Sequence, residues 1–532
     1  MKLKRILAIS LSLTMLFSMS LSSVAKGERT TPVEVPDEYN ETAVTVNSDV
    51  KVVGKDYAVL VVNEGQSEGV ITSADIGGNV SLTNTGEATA LDSSAYTEGT
   101  DIFVNGSVDA HTDNGEATAI HVRAGNNGDA SVSVHENVTA TADEGRATGV
   151  SVYTEDSSVY VNVEGDVTVD SKDKNYGEAD GIIIKNLTST VDVEVEGSVN
   201  VKSETNDAGG VIIVGSSITE QNAKSTVIIH GDLNVEGYGV VSAGTADQSQ
   251  ADVIIEGTLD ATKGAVLLKD YKSNSGSSND ESKKSDLNLY VWKINTDKNA
   301  AIAPKMTYNP STMDEPEIKN DEDFVKNNIY YIIKVEQPIE GGYFYVTDKN
   351  GNSLTKKNGN IVAKEGTVLL LKTNLEPDYV INEAYGDISK NLSLVNDANG
   401  NYSLVVKRGG GVYFNALCSK PISNAEFRRR EEVQDAIGFI DAGPKNGAIT
   451  IACFNSDRLD DSVVKEILDL ANRRRFTVTI LCMIDDIYGK IVIDSETFAN
   501  YYNDGATVTL KKLKGAGFFT AITSNTIKRS SK

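Results

Sequence analysis

Cysteine is nearly missing from this chain of 532 residues: Cys418, Cys453 and Cys482 are the only three, all in its last quarter. No disulfide framework can therefore brace the long region before them. Cys453 and Cys482 lie in two apolar runs, ITIACF and TVTILCM, that read as neighbouring strands; one bridge between them is open, and two buried free thiols are the preferred reading. Four histidines and a single tryptophan leave little material for imidazole catalysis or for a tryptophan-lined sugar cleft. Aromatic residues make up 6% and hydrophobic residues 39%, lean for one compact enzyme core, so several units are expected. Positive charge is also short. Fifty Lys and Arg face 76 Asp and Glu, a formal net charge of −26 that repels phosphate backbones and anionic membranes, so no nucleic-acid partner is expected.

Long apolar runs are confined to the start. In MKLKRILAISLSLTMLFSMSLSSVAK, Lys2, Lys4 and Arg5 precede an apolar stretch from Ile6 to Leu21, and Ser23-Val24-Ala25 places small residues at −3 and −1. That pattern reads as a secretory signal peptide over residues 1–25, cut after Ala25. The stretch is short for a bilayer span of roughly 20 residues. NTIKRSSK at the other end carries no hydrophobic stop-transfer tail. The mature protein is expected to have no membrane span and to lie outside the cell, secreted or associated with the cell wall.

What is abundant is glycine, 45 residues of it, together with Val, Thr, Ser, Asn and Asp, which favour strands joined by tight turns. A short phrase recurs: GNVSLTNTGEATAL, then NGSVDAHTDNGEATAIHV, then ENVTATADEGRATGV. Aligned on one turn position, the repeats are anchored at Ser48, Gly78, Gly106, Glu136, Gly165, Gly197, Gly231 and Gly257, at intervals of 26 to 34 residues. Each interval holds three short segments of alternating apolar residues. Self-similarity of this length with a period of two means stacked triangular coils, a parallel β-helix in which each inward position forms a column of like residues. One column is small: Ala90, Ala119, Gly149, Gly181, Gly210, Gly239 and Gly264. Its followers are Leu91, Ile120, Val150, Ile182, Val211, Val240 and Ala265. Beside the anchors runs a polar ladder, Asp49, Asn79, Ser107, Asn137, Asp166, Ser198, Asp232 and Thr258, suited to satisfying turn backbone.

The fold class is mainly β: a right-handed parallel β-helix of about eight coils over residues 43–303, with a short extension over 26–42 before it. A polar insertion falls near 270–286, and LNLYVWKINTDKNAAIA reads as one last coil whose Trp292 caps the hydrophobic stack or offers a sugar platform. Residues 304–326, rich in Pro and acid, read as a linker. Residues 327–419 read as a small antiparallel β domain with turns at Glu340-Gly341-Gly342 and Asn350-Gly351, and 420–532 as a small α/β domain. Its helix is SDRLDDSVVKEILDLANRRRF, and the triplets Arg428 to Arg430 and Arg473 to Arg475 read as solvated helix-end charge.

The coil phrases GSVDA, GDVTV, GSVNV and GDLNV resemble the parallel β-helix repeats of secreted and autotransported bacterial adhesins. The segment from Tyr331 to Cys418, with GGYFYV and GNYSLVVKRGGGVYFNA, looks like the small β repeats related to internalin B repeats of Gram-positive surface proteins. These resemblances imply a surface-associated, modular, adhesin-like protein with a spacer or binding module after its solenoid.

Chemistry has few places to sit. Asp192, Glu194 and Glu196 alternate with valines and so point outward from one strand, and Glu164 should stack beside Glu196. Four carboxylates close together could hold Ca²⁺; alternating acids are also what a solvated strand face looks like. His135 and His230 share one turn column but stand three coils apart, about 14 Å at the β spacing, too far to share a ligand. No catalytic residue is assigned and no cofactor beyond that Ca²⁺ is expected. The reading is a non-catalytic adhesin or cell-envelope scaffold whose partner is a host or envelope glycan or protein. The alternative is a polysaccharide-cleaving β-helix enzyme, which needs carboxylates and a cationic base converging across two coils.

Overall fold

The computed structural model describes residues 28–36, 43–63, 71–205, 207–214, 223–243, 250–271, 286–297, 300–308, 318–337, 341–376, 379–385, 395–396 and 402–419, and five strands further on. The signal segment, the polar insertion over 272–285, the helix expected after Asn455 and both arginine triplets lie outside the described residues. The chain divides into two units, Met1–Asn328 and Ile329–Lys532.

The first unit is a parallel β-solenoid. Seven turns between Ala43 and Ala243 are built of three separate strands, as in Thr100–Val104, Val108–Thr112 and Gly115–Ala124. Every strand pairs in parallel with its counterparts in the coils before and after. Val104 stands between Ile76 and Val134, Val108 between Val80 and Val138, and Ile120 between Leu91 and Val150. The period-two alternation of the sequence becomes alternating burial, with Ile102, Val104, Val108, Ile120 and Val122 inaccessible to solvent. Fully burying such a side chain contributes roughly 1.5–3 kcal/mol, and only a neighbouring coil can bury it.

The polar ladder forms as a chain of hydrogen bonds between coils. At most rungs the ladder side chain accepts from the backbone N–H of the equivalent residue one coil on: Asn79 N–H to Asp49 Oδ1 at 2.8 Å, Ser107 to Asn79 at 2.9 Å, Asp166 to Asn137 at 2.9 Å and Ser198 to Asp166 at 2.7 Å. Asp232 N–H to Ser198 Oγ at 3.1 Å and Thr258 N–H to Asp232 Oδ1 at 2.6 Å continue it. This also explains the glycine before each rung. A Cβ at Gly197 would lie 2.3 Å from Asp166 Oδ1, and one at Gly106 would lie 2.4 Å from Asn79 Oδ1. Two anchors are not glycine: Ser48 stands beside Asp49, the first rung, and Glu136 stands where the rung differs, Ser107 Oγ donating to Glu136 Oε2 at 2.9 Å instead.

The small-residue column brings the third strand of one coil against the second strand of the next. A Cβ at Gly149 would meet Val167 Cγ1 at 2.7 Å and Gly181 O at 2.6 Å, and one at Gly181 would meet Val199 Cγ1 at 2.8 Å. One coil before Gly149, the small position is Ala119, and the positions matching Val167 and Val169 are Val138 and Ala140. A methyl enters the third strand where the facing strand shrinks from valine to alanine. The last pair of the expected column is displaced by one residue: Gly264 lies opposite Tyr238, Val266 lies opposite Val240, and the atom facing Gly239 is Ala265 O.

After Ala243 the cross-section changes. First and second strands fuse into Gln250–Ala261 and Asp286–Thr296, paired in parallel with a register shift between Ile255 and Thr258 where the corner had been. The expected linker over 304–326 is structured in part. Pro304–Tyr308 joins the third-strand column beside Gly264–Tyr271, Ile318–Asn320 pairs antiparallel to it, and the helix α1, Glu322–Asn328, follows. Asp321 caps α1 by accepting from Phe324 N–H at 2.9 Å. The helix packs against Asp286–Thr296, with Phe324 and Val325 buried and Asn328 Nδ2 donating to Leu287 O at 3.0 Å. α1 thereby brings buried Phe324 and Val325 to the last coil. At the other end Val33–Pro36 pairs with Tyr57–Asn63, and Arg29 bridges Val50, so part of the expected extension belongs to the solenoid.

The second unit holds small sheets. Gly342–Asp348, Val368–Leu375, Tyr402–Val405 and Val395–Asn396 form a four-stranded antiparallel sheet. Tyr413–Ser419 pairs antiparallel with Val380–Tyr385 and in parallel with Lys334–Val335. The Asn350-Gly351 turn forms as expected, with Gly351 at φ +86° and Asp348 Oδ1 accepting from Asn350 and Asn352 N–H at 2.8 Å each. Further on, Ala448–Phe454 and Thr477–Ile484 are parallel neighbours with Cys453 opposite Cys482, in a mixed five-stranded sheet.

Candidate functional site

The outward acidic strand is Thr190–Val195, whose Val191, Val193 and Val195 are buried while Asp192 and Glu194 face out. Its neighbours place Asp192 between Tyr160 and Thr226, and Glu194 between Asn162 and Ile228. Just past each first strand comes one further outward position, before the anchor. Register from Val134, Val163, Val195, Ile229 and Ile255 stacks His135, Glu164, Glu196, His230 and Glu256 there in successive coils.

This stacking divides the four expected ligands. Glu164 turns to His135, whose Nδ1 lies 2.5 Å from its Oε2. Asp192 is not among the groups that converge. Glu194 and Glu196 instead meet His230, whose Nε2 is 3.0 Å from Glu194 Oε1 and 3.9 Å from Glu196 Oε1. The other ring nitrogen of His230 is 3.0 Å from Glu256 Oε2. One potential ligand atom from each of Glu194, Glu196 and His230 lies within 4.8 Å of the others. Burial disfavours a charged His230, but hydrogen bonds to Glu194 and Glu256 and the charges of Glu256 and Glu196 outweigh it and hold its pKa above the ordinary histidine value. Burial, together with Glu194 and Asp192, pushes the phenol of Tyr160 up.

A second group forms around His111, Asp113 and Asp143. There Lys172 Nζ lies 2.9 Å from Asp143 Oδ1, and that ammonium holds the Asp143 carboxyl below its usual range.

Trp292 is half-buried, opposite the bulge between Ile255 and Thr258, and already has interaction partners. On the outward face of the third-strand column, Arg123 lies over Tyr96 at 5.5 Å and over Tyr153 at 5.4 Å, and Lys185 lies over Tyr153 at 5.1 Å. In the bend of that column Asp180, 1% exposed, receives Arg146 Nε at 3.1 Å. Burial raises its pKa to about 7 against the attraction of Arg146. Thr148, opposite Asp180 in register, has a buried hydroxyl with no hydrogen-bond partner.

Sequence reasoning misses His230 as a companion of the acidic strand, although stacking Glu164 beside Glu196 and aligning His135 with His230 place all four in one column; Glu256, one coil further on, it misses outright. Asp180 and Arg146 carried no usable signal, because an acid within GEADGI looks like any turn residue.

The solenoid defines the chain as a parallel β-solenoid protein with appended small β units. Comparison with protein-family profiles, curated proteins and solved structures found no match in any of the three. Among the described residues no helix is long and apolar enough to cross a membrane.

Proposed function

We propose that this is a secreted or surface-associated modular solenoid protein, an adhesin or cell-envelope scaffold that works by presenting binding surface rather than by turnover. The observation that carries the reading is the contrast between the two faces of each strand. Val161, Val193 and Val227 repeat inward at one register, while the adjacent outward register reads Tyr160, Asp192 and Thr226, then Asn162, Glu194 and Ile228. The interior repeats because it must stack; the exterior varies coil by coil, which suits recognition of an extended partner. The likeness of GSVDA, GDVTV and GDLNV to adhesin solenoids, and of the segment after Tyr331 to internalin-type repeats, supports a Gram-positive surface protein whose partner is a host or envelope glycan or protein. The signal-peptide pattern supports export.

Two measurements test this. Fractionation with surface labelling should find the protein outside the membrane, and a glycan array with a polysaccharide-depolymerisation screen should show binding without bond cleavage. Release of reducing or unsaturated ends, lost in Glu194→Ala and Glu196→Ala, would overturn the reading in favour of a polysaccharide-cleaving enzyme.

A further inference from the structure

The group at Glu194, Glu196 and His230 differs from a solvated acidic face in one respect, the imidazole at its centre. His230 is oriented at both ends: Glu256 from the next coil engages Nδ1 at 3.0 Å, which leaves Nε2 aimed at Glu194 and Glu196 from the coil before. A carboxylate on one ring nitrogen is the outer-shell arrangement by which proteins fix a metal-binding histidine, and a cation at the other would replace the proton that Nε2 shares with Glu194. The spacing also fits. A tetrahedral centre with bonds of about 2.0–2.1 Å sets its ligand atoms roughly 3.3 Å apart, and here Nε2 lies 3.0 and 3.9 Å from the two carboxylate oxygens. We propose that His230, Glu194 and Glu196 form a binding site for a borderline divalent cation of the Zn²⁺ type, with Glu256 as the positioning residue and solvent completing the coordination.

The donor set selects the metal class. Ca²⁺ takes six to eight oxygen ligands, whereas the group holds two carboxylates and a nitrogen, and Glu164 is engaged by His135. Imidazole with carboxylate suits Zn²⁺ and its neighbours. The group at His111, Asp113 and Asp143 has similar ligand types, but Lys172 already sets an ammonium 2.9 Å from Asp143. A cation entering the first group displaces only the proton between Nε2 and Glu194, whereas one entering the second must displace a lysine ammonium. The first draws its ligands from two adjacent coils and its positioning carboxylate from a third, so an ion there fastens successive turns to one another. This site is independent of whether the protein is an adhesin.

The test uses the full chain, stripped with chelator and titrated with Zn²⁺ by calorimetry, with Ca²⁺ as competitor and thermal unfolding as a second readout. Expected are one equivalent of Zn²⁺ bound, a rise in unfolding temperature with Zn²⁺, loss of both in His230→Gln and Glu196→Gln, and affinity weakened roughly 10- to 100-fold in Glu256→Gln. His111→Gln should bind as the parent does. Circular dichroism and the metal-free unfolding temperature show whether each variant is folded, and Glu196→Gln, at a half-exposed position, keeps the test alive if His230→Gln is not. No binding, binding unchanged in both ligand variants, or equal competition by Ca²⁺ would each overturn the proposal.

Discussion

Replacing Gly197 by alanine tests the ladder that joins the coils. The new Cβ would lie 2.3 Å from Asp166 Oδ1 and 2.6 Å from Gly165 O, distances that real Cβ atoms do not show, so either the rung or the backbone must move. Moving the rung releases the Ser198 N–H bond to Asp166, now 2.7 Å, which costs about 1–3 kcal/mol for a charged acceptor. Shifting the packed backbone adds about 1–3 kcal/mol more. A total of roughly 2–6 kcal/mol is expected where both move, located at one junction between coils. The matched control is Gly86→Ala, where nothing lies within 4 Å of the added Cβ and which should be neutral or slightly stabilising. Urea unfolding of the two variants gives the size, and amide hydrogen exchange gives the place: protection should fall in the strands on both sides of Gly197. Gly197→Ala as stable as Gly86→Ala, with unchanged exchange at Ser198, would refute the account of why glycine precedes each rung.

Asp180 predicts a pH dependence. Its folded pKa of about 7 stands above the unfolded value of 3.8, so the folded state holds a proton that the unfolded state has released, and stability is lost as pH rises between them. The loss approaches roughly 4 kcal/mol for about three pKa units. Asp180→Asn should flatten the stability profile between pH 4 and pH 7, as read by urea midpoints; an unchanged slope contradicts the assignment. Gly149→Ala should destabilise through contact with Val167 Cγ1 at 2.7 Å, and Val167→Ala should relieve part of the cost, so the pair is non-additive in a double-mutant cycle. Phe324→Ala should cost about 3–5 kcal/mol and raise hydrogen exchange first in Asp286–Thr296, since α1 packs there.

The interior was legible because stacking forces equivalent positions to carry like residues. Small residues, aliphatic followers and ladder side chains could be read as columns without knowing where any strand sat. The columns slip at Gly264, where a glycine suits the small position but the register sets Ala265 there, in the same coil whose first and second strands fuse into Gln250–Ala261. Pro304 was read as a linker on composition; proline is acceptable as the first residue of a strand, and Pro304–Tyr308 uses it so. The outward chemistry was harder to read. Outward residues answer to no stacking rule, so Glu164 beside Glu196 looked like a pair, while the partner each took was a histidine one coil away.

The antiparallel strand Ile318–Asn320 has a consequence for assembly. A parallel solenoid is a templating surface: its last coil offers to any passing strand the register that its own interior obeys, which makes it the growing end of a linear polymer. Setting Ile318–Asn320 against Pro304–Tyr308 in reversed direction replaces that end with one of opposite polarity, and the fused strands alter the outline a further coil would have to copy. In polymer terms the third-strand column carries its own chain terminator.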